Sequence, residues 1–164
     1  MNTTVAGGPH ATLAAHGLRV ALPARWEGRL YRREVVAGGS AEEAHHPVLH
    51  LANFALPPGR GDFGTGAVEV MGPGHAFVSL LEYGPEEAGT ALFAASGRPR
   101  LTEADFAPNA LQRRLPGQLG CQRFFTERGR AFCLYVVLGS RRRAGALLAE
   151  VERVLTNLEV GGIA

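Results

Sequence analysis

The stretch from residue 118 to residue 160 constrains this chain more than any other. Two apolar runs, 120–126 and 131–138, meet at Arg128-Gly129, and a single helical stripe follows them. Runs of strand composition on either side of such a dipeptide predict a hairpin. With 127–130 as the turn, Cys121 faces Val136 and Cys133 faces Phe124. That register puts Phe125, Phe132, Leu134, Val136 and Leu138 on one face and the two thiols on opposite faces, so no disulfide is expected. Ser140 is placed to cap a helix whose Leu147, Leu148, Val151, Val154, Leu155 and Leu158 recur at helical spacing. Burying those six contributes on the order of 10 kcal/mol of gross apolar stabilisation, before chain entropy is subtracted.

Upstream, strands are predicted at 18–22, stopped by Pro23, at 30–36, at 48–56, and at 67–71 and 76–83 around Gly72-Pro73-Gly74. Apolar residues on both parities of 48–56 mark a central strand covered on both faces. Trp26 is expected to fold onto the core. Residues 85–96 fit a helix or a strand, and 102–106 read as one capped helical turn. The fold class expected is α+β: a twisted, mostly antiparallel sheet of about six or seven strands flanked by helices, with a long C-terminal helix on the sheet. Residues 1–16 are expected as a flexible arm and 17–164 as one domain.

Composition excludes some functions and leaves many open. At 164 residues the chain can bury a proper core without metal or disulfide staples, and a net charge of +2 does not demand a polyanionic partner. All 17 basic residues are arginine, which, with 22 glycines and 10 prolines, points to a GC-rich, actinobacterial genome. The longest apolar run, 131–138, is far short of a membrane span, and residues 1–10 lack the basic and apolar regions of a secretory signal. A cytoplasmic location is the expectation.

Two segments resemble a known family. Leu18-Arg19-Val20-Ala21-Leu22-Pro23-Ala24-Arg25-Trp26 is a strand ending in Pro-x-x-Trp. At the other end are Gly129 in a turn, the strand 131–138, and a helix closing on Val154-Leu155-Thr156-Asn157-Leu158. This order resembles the PsbP-like fold shared by the photosystem II extrinsic PsbP proteins and the Mog family of Ran-binding proteins, in an actinobacterial branch. The resemblance leaves residues 57–117 unassigned. It implies a sheet flanked by helices that docks onto larger proteins, with no catalytic residues to carry over.

Three motifs are weighed and set aside. Gly59-Arg60-Gly61-Asp62-Phe63-Gly64 spells a dinucleotide fingerprint, but Gly72-Pro73-Gly74 leaves no room for the helix that would receive the pyrophosphate. His46 and His50, four residues apart on a strand, lie about 13 Å from each other, too far to share an ion directly. Residues 128–135 resemble the first RNA-binding motif of RNA-recognition domains, but Arg130 stands where an aromatic should stack a base, and Phe132 falls on the helix-covered face. Glu69 and Glu82, predicted on neighbouring strands, are not opposite one another, and no nucleophile has a base assigned to it. No cofactor, metal or catalytic residue is expected.

The expected function is therefore a non-enzymatic protein–protein interaction or assembly module of PsbP-like type. Its expected surface is the proline-bounded segment carrying Asp105, Asn109, Gln112, Arg113, Gln118, Gln122 and Arg123. The expected partner is another protein, with a second copy of the chain as an alternative; neither a membrane nor a nucleic acid is expected. The alternative is an arginine-rich binder of RNA or another anion, acting through Arg123, Arg128, Arg130 and Arg141, Arg142 and Arg143.

Overall fold

The computed structural model describes residues 3–8, 11–33, 46–58 and 61–163. Among the described residues, nine antiparallel strands and one α-helix make a mixed, mostly sheet architecture. In chain order they are β1 (Thr3–Ala6), β2 (Thr12–Ala15), β3 (Leu18–Ala21), β4 (Glu27–Arg32), β5 (Pro47–Ala52), β6 (Ala76–Tyr83), β7 (Leu119–Glu127), β8 (Arg130–Leu138), α1 (Ala144–Thr156) and β9 (Leu158–Val160). A six-stranded sheet has the order β1-β4-β5-β6-β8-β7, and a three-stranded sheet has the order β2-β3-β9.

Strand parity sorts the core. Leu30, Leu49, Leu51, Val78, Leu80, Leu134 and Val136 point to one face of the large sheet, where α1 and the small sheet bury them with Leu13, Val20, Trp26 and the α1 stripe. The opposite face carries two separate apolar clusters, one around Phe77 and Val137 and one around Tyr31 and Leu81. Irregular chain covers it, with Phe63, Leu56, Val68 and Leu111 packing down. With a single α-helix among the described residues, the expectation of a sheet flanked by helices is corrected: one face is layered by helix and small sheet, the other by loops.

The hairpin has the expected register, with Cys121 opposite Val136 and Phe124 opposite Cys133, and both cysteines are free and buried. Gly129 turns it at a φ of 76°. Leu147, Leu148, Val151, Val154 and Leu155 are buried along α1. Leu158 is buried as well, but in β9, where it pairs with Val20. Ser140 does not cap the helix. Arg143 occupies that position without a side-chain hydrogen bond, because residues 140–143 are used in crossing from the sheet to the helix layer.

Other expectations are revised. Residues 1–16 are not a loose arm where the chain is described: Thr3–Ala6 pairs with β4 and Thr12–Ala15 with β3. The strand expected at 67–71 is a 3-10 turn, Val68–Val70. Gly64 and Gly66 adopt φ values of 84° and 90°, the Gly64 carbonyl accepts from Ala67 and Val68 N–H, and Glu69 accepts from Gly66 N–H at 2.6 Å. Backbone bent this way cannot join a ladder, so Gly72-Pro73-Gly74 is a turn outside any hairpin. The 48–56 strand stops at Ala52, and the 85–96 segment holds two 3-10 turns, Pro85–Glu87 and Ala91–Phe93, split by Gly89 at a φ of 76°. Thr102 and Asp105 form a reciprocal capping box around the 3-10 turn Glu103–Asp105. Residues 34–36 of the 30–36 strand lie outside the described residues, as do Gly59, Arg60 and His45.

Candidate functional site

A row of polar side chains crosses the loop-covered face in register. Thr4 faces Arg29, Arg29 faces His50, His50 faces Ser79, Ser79 faces Tyr135, and Tyr135 faces Gln122, one residue from each of the six strands. Such a row on a buried sheet face needs partners, and the covering chain provides them. Arg29 donates to the carbonyls of Leu56 and Pro57 at 3.2 and 2.6 Å. Ser79 Oγ and His50 Nε2 reach the Asp62 carbonyl at 2.5 and 3.1 Å. The Gln112 N–H donates to Tyr135 Oη at 2.9 Å, and Gln112 Nε2 to Gln122 Oε1 at 3.3 Å.

This row contains a serine, a histidine and a tyrosine, and Asp62 closes over them. Tyr31 Oη donates to Asp62 Oδ1 at 3.3 Å, and Arg33 Nε lies 3.0 Å from Asp62 Oδ2. A carbonyl only accepts, so His50 carries a proton on Nε2. Burial pushes its pKa down to about 4, and burial also raises that of Tyr31. Ser79 Oγ and His50 Nε2 both bind the same loop carbonyl, and both residues are buried. Their arrangement holds the loop rather than exposing a nucleophile.

The seven residues expected at an interaction surface are brought together, largely by pairing with each other and with the covering loop. Arg123 meets Asp105 at 2.6 Å, and Arg113 meets Glu69 at 2.7 Å. The backbone N–H of Thr102 is the largest influence holding the Asp105 carboxyl below its usual range, and Arg123 adds to it. Gln118 is buried and donates to the Val68 carbonyl at 2.7 Å. Asn109 is exposed on the turn Pro108–Ala110. Much of this set therefore fastens the 105–118 segment to β7 and to the loop around Val68. Glu69, expected on a strand beside Glu82, sits in the 3-10 turn instead, while Glu82 on β6 binds Arg130.

The arginine set of the anion-binding alternative is dispersed. Arg130 is buried and Arg123 is paired. Arg128 sits in the hairpin turn, and Arg141, Arg142 and Arg143 follow the far end of the nine-residue β8, about 30 Å away. Arg128, Arg141 and Arg142 line hollows of their own, and Arg143 enters one that gathers further arginines from outside this set. That cleft, about 620 Å³, lies between the turn at Pro23–Trp26, the ends of β5 and β6, and α1. Arg25, Arg143 and Arg153 line it with Asn53, His75 and Glu150.

The cleft is organised around Asn53. Its Nδ2 donates to the Gly74 carbonyl at 3.0 Å and to Glu150 Oε2 at 3.2 Å, and its Oδ1 accepts from Ala76 N–H at 2.7 Å. His75 Nδ1 accepts from Gly72 N–H at 2.9 Å and its ring stacks on Phe54 at 4.9 Å, leaving Nε2 as its donor nitrogen when neutral. Arg25 adopts a φ of 71°, a left-handed conformation in which a residue with a side chain is uncommon. Arg143 lies over Gly74, its Nη1 3.1 Å from where a Cβ would stand. Sequence reasoning missed Arg25, Asn53, His75, Glu150 and Arg153 as a group. One signal was present: 143, 146, 150 and 153 share a helical stripe, with Ala146 leaving room between longer side chains.

The chain matches no protein-family model, no curated protein and no solved structure.

Proposed function

We propose that the chain is a non-enzymatic interaction module that docks another protein, of the kind its PsbP-like resemblance implies, and that the arginine-lined cleft beside α1 is the docking site. One observation carries the reading. Arg25 from the turn after β3 meets Arg143 and Arg153 from α1 in one hollow, and none of the three side chains makes a hydrogen bond or ion pair with a described residue. Arginines with structural work, such as Arg29, Arg123 and Arg130, are each held by carbonyls or carboxylates. Like charges gathered in a concavity repel one another, and an acidic partner relieves that repulsion. The serine, histidine and tyrosine of the polar row support the non-enzymatic part, since their polar atoms hold the covering loop.

The test compares proteins recovered from a bacterial extract by the full chain and by two variants. Arg25→Glu/Arg143→Glu/Arg153→Glu reverses the cleft; Arg19→Glu/Arg32→Glu reverses two exposed arginines outside it. The proposal expects a recovered partner to be lost with the first variant and kept with the second. Identical recovery by all three chains overturns it.

A further inference from the structure

The cleft also contains Glu150, a carboxylate among three guanidinium groups, and this acid distinguishes between anionic ligands. Its Oε2 accepts from Asn53, while Oε1 makes no hydrogen bond to a described residue. A strand of phosphodiesters laid across the cleft would bring a like charge against Glu150 with every linkage and has no amide N–H to offer it. An acidic peptide is different: its side-chain carboxylates suit Arg25, Arg143 and Arg153, and its backbone carries an N–H for every residue.

We propose that the cleft recognises an acidic peptide segment, its carboxylates on the three arginines and one of its backbone N–H groups on Glu150. The site's location rests on the docking reading above, and the ligand chemistry is added by Glu150 and Asn53. Asn53 holds Glu150 in place, because its other polar contacts, to Gly74 and Ala76, fix it to the rim of the sheet. Gly74 contributes by leaving open the space over which the head of Arg143 lies.

The experiment titrates the full chain, by fluorescence anisotropy at low salt, against three labelled probes. They are an oligoglutamate peptide, the same peptide with N-methylated amides, and a single-stranded RNA of equal charge. The expected result is tightest binding to oligoglutamate, with affinity lowered about tenfold by N-methylation, the scale of one lost charge-assisted hydrogen bond. Glu150→Gln, which keeps the side-chain shape, should weaken the peptide several-fold and strengthen RNA. Arg25→Ala/Arg143→Ala/Arg153→Ala, checked for native circular dichroism, should abolish peptide binding. RNA binding as tightly as the peptide, indifference to N-methylation, or a Glu150→Gln variant that binds both probes more tightly each overturns the proposal. If a partner is recovered through the arginines while oligoglutamate fails to bind, docking stands and the peptide chemistry falls. If oligoglutamate binds as described while recovery is indifferent to charge reversal, the docking reading falls instead.

Discussion

Arg130 of β8 grips Glu82 of β6 with two parallel hydrogen bonds, Nε to Oε1 at 2.8 Å and Nη2 to Oε2 at 2.6 Å. The same guanidinium donates to the carbonyls of His16, Gly17 and Gly161, so all five of its N–H groups are used. Those carbonyls lie in the β2–β3 turn and just past β9. Arg130 thereby fastens the small sheet to the large one.

Removing one partner of this buried pair strands the other. Arg130→Ala and Glu82→Ala should each lower stability by roughly 3 kcal/mol or more. Arg130→Lys should rescue only part of the loss, since an ammonium cannot reproduce the fork. Urea unfolding of the single and double variants measures the coupling; additive losses would show that the pair does not act as a clamp.

Stability should fall as pH drops from about 6.5 to about 4, because His50 is buried neutral with its pKa pushed down to about 4. In that window the unfolded chain binds a proton that the folded chain does not, so the folded state loses on the order of 3 kcal/mol across it. Above 6.5 the contribution is complete and flat. His50→Gln should reduce the slope, leaving a residue from His16, whose pKa burial also lowers. Urea midpoints collected across the window check both the sign and the residue.

Cys121 and Cys133 should resist alkylation in the native protein at mildly alkaline pH. Burial pushes both thiols up to about 11, leaving little thiolate to react. Mass spectrometry after iodoacetamide treatment should find no adduct on the folded chain and two on the chain in concentrated guanidinium. Rapid native labelling of either thiol would contradict the packing described.

Tyr135→Phe removes the acceptor of the Gln112 N–H while keeping the ring in its cluster. The expected loss is about 1 kcal/mol. Hydrogen exchange at the Gln112 amide should quicken more than exchange in β8, because the tyrosine tethers the loop rather than the strand.

The C-terminal unit was legible because its signals are local. The hairpin dipeptide, the parity of Phe132, Leu134 and Val136, and the spacing of Leu147, Val151 and Val154 all describe the same structure. The alternation of Val68 and Val70 looked equally local and misled. Val68 is buried on the Phe77 cluster and Val70 is 58% exposed, a result of the glycine-bent backbone rather than of a pleat. Asp105, Gln112, Arg113 and Arg123 were expected at an interaction surface; their pairing partners lie 10–44 residues away and could not be counted from the chain alone.

Arg130 marks the division between local and long-range information. The sequence by itself determined that a glycine turn over 127–130 feeds a strand at 131–138, one residue short of its observed start at Arg130, since turn chemistry and period-two patterning act over a few neighbours. Only the tertiary structure decided that its charge is buried against Glu82 and the carbonyls of residues 16, 17 and 161, rather than offered to an anion. The same holds for the cleft. Arg143, Glu150 and Arg153 share a helical stripe that the chain shows, but Arg25 and Asn53 meet them only because sheet registry and helix packing bring distant segments together, and that long-range packing leaves no periodic trace.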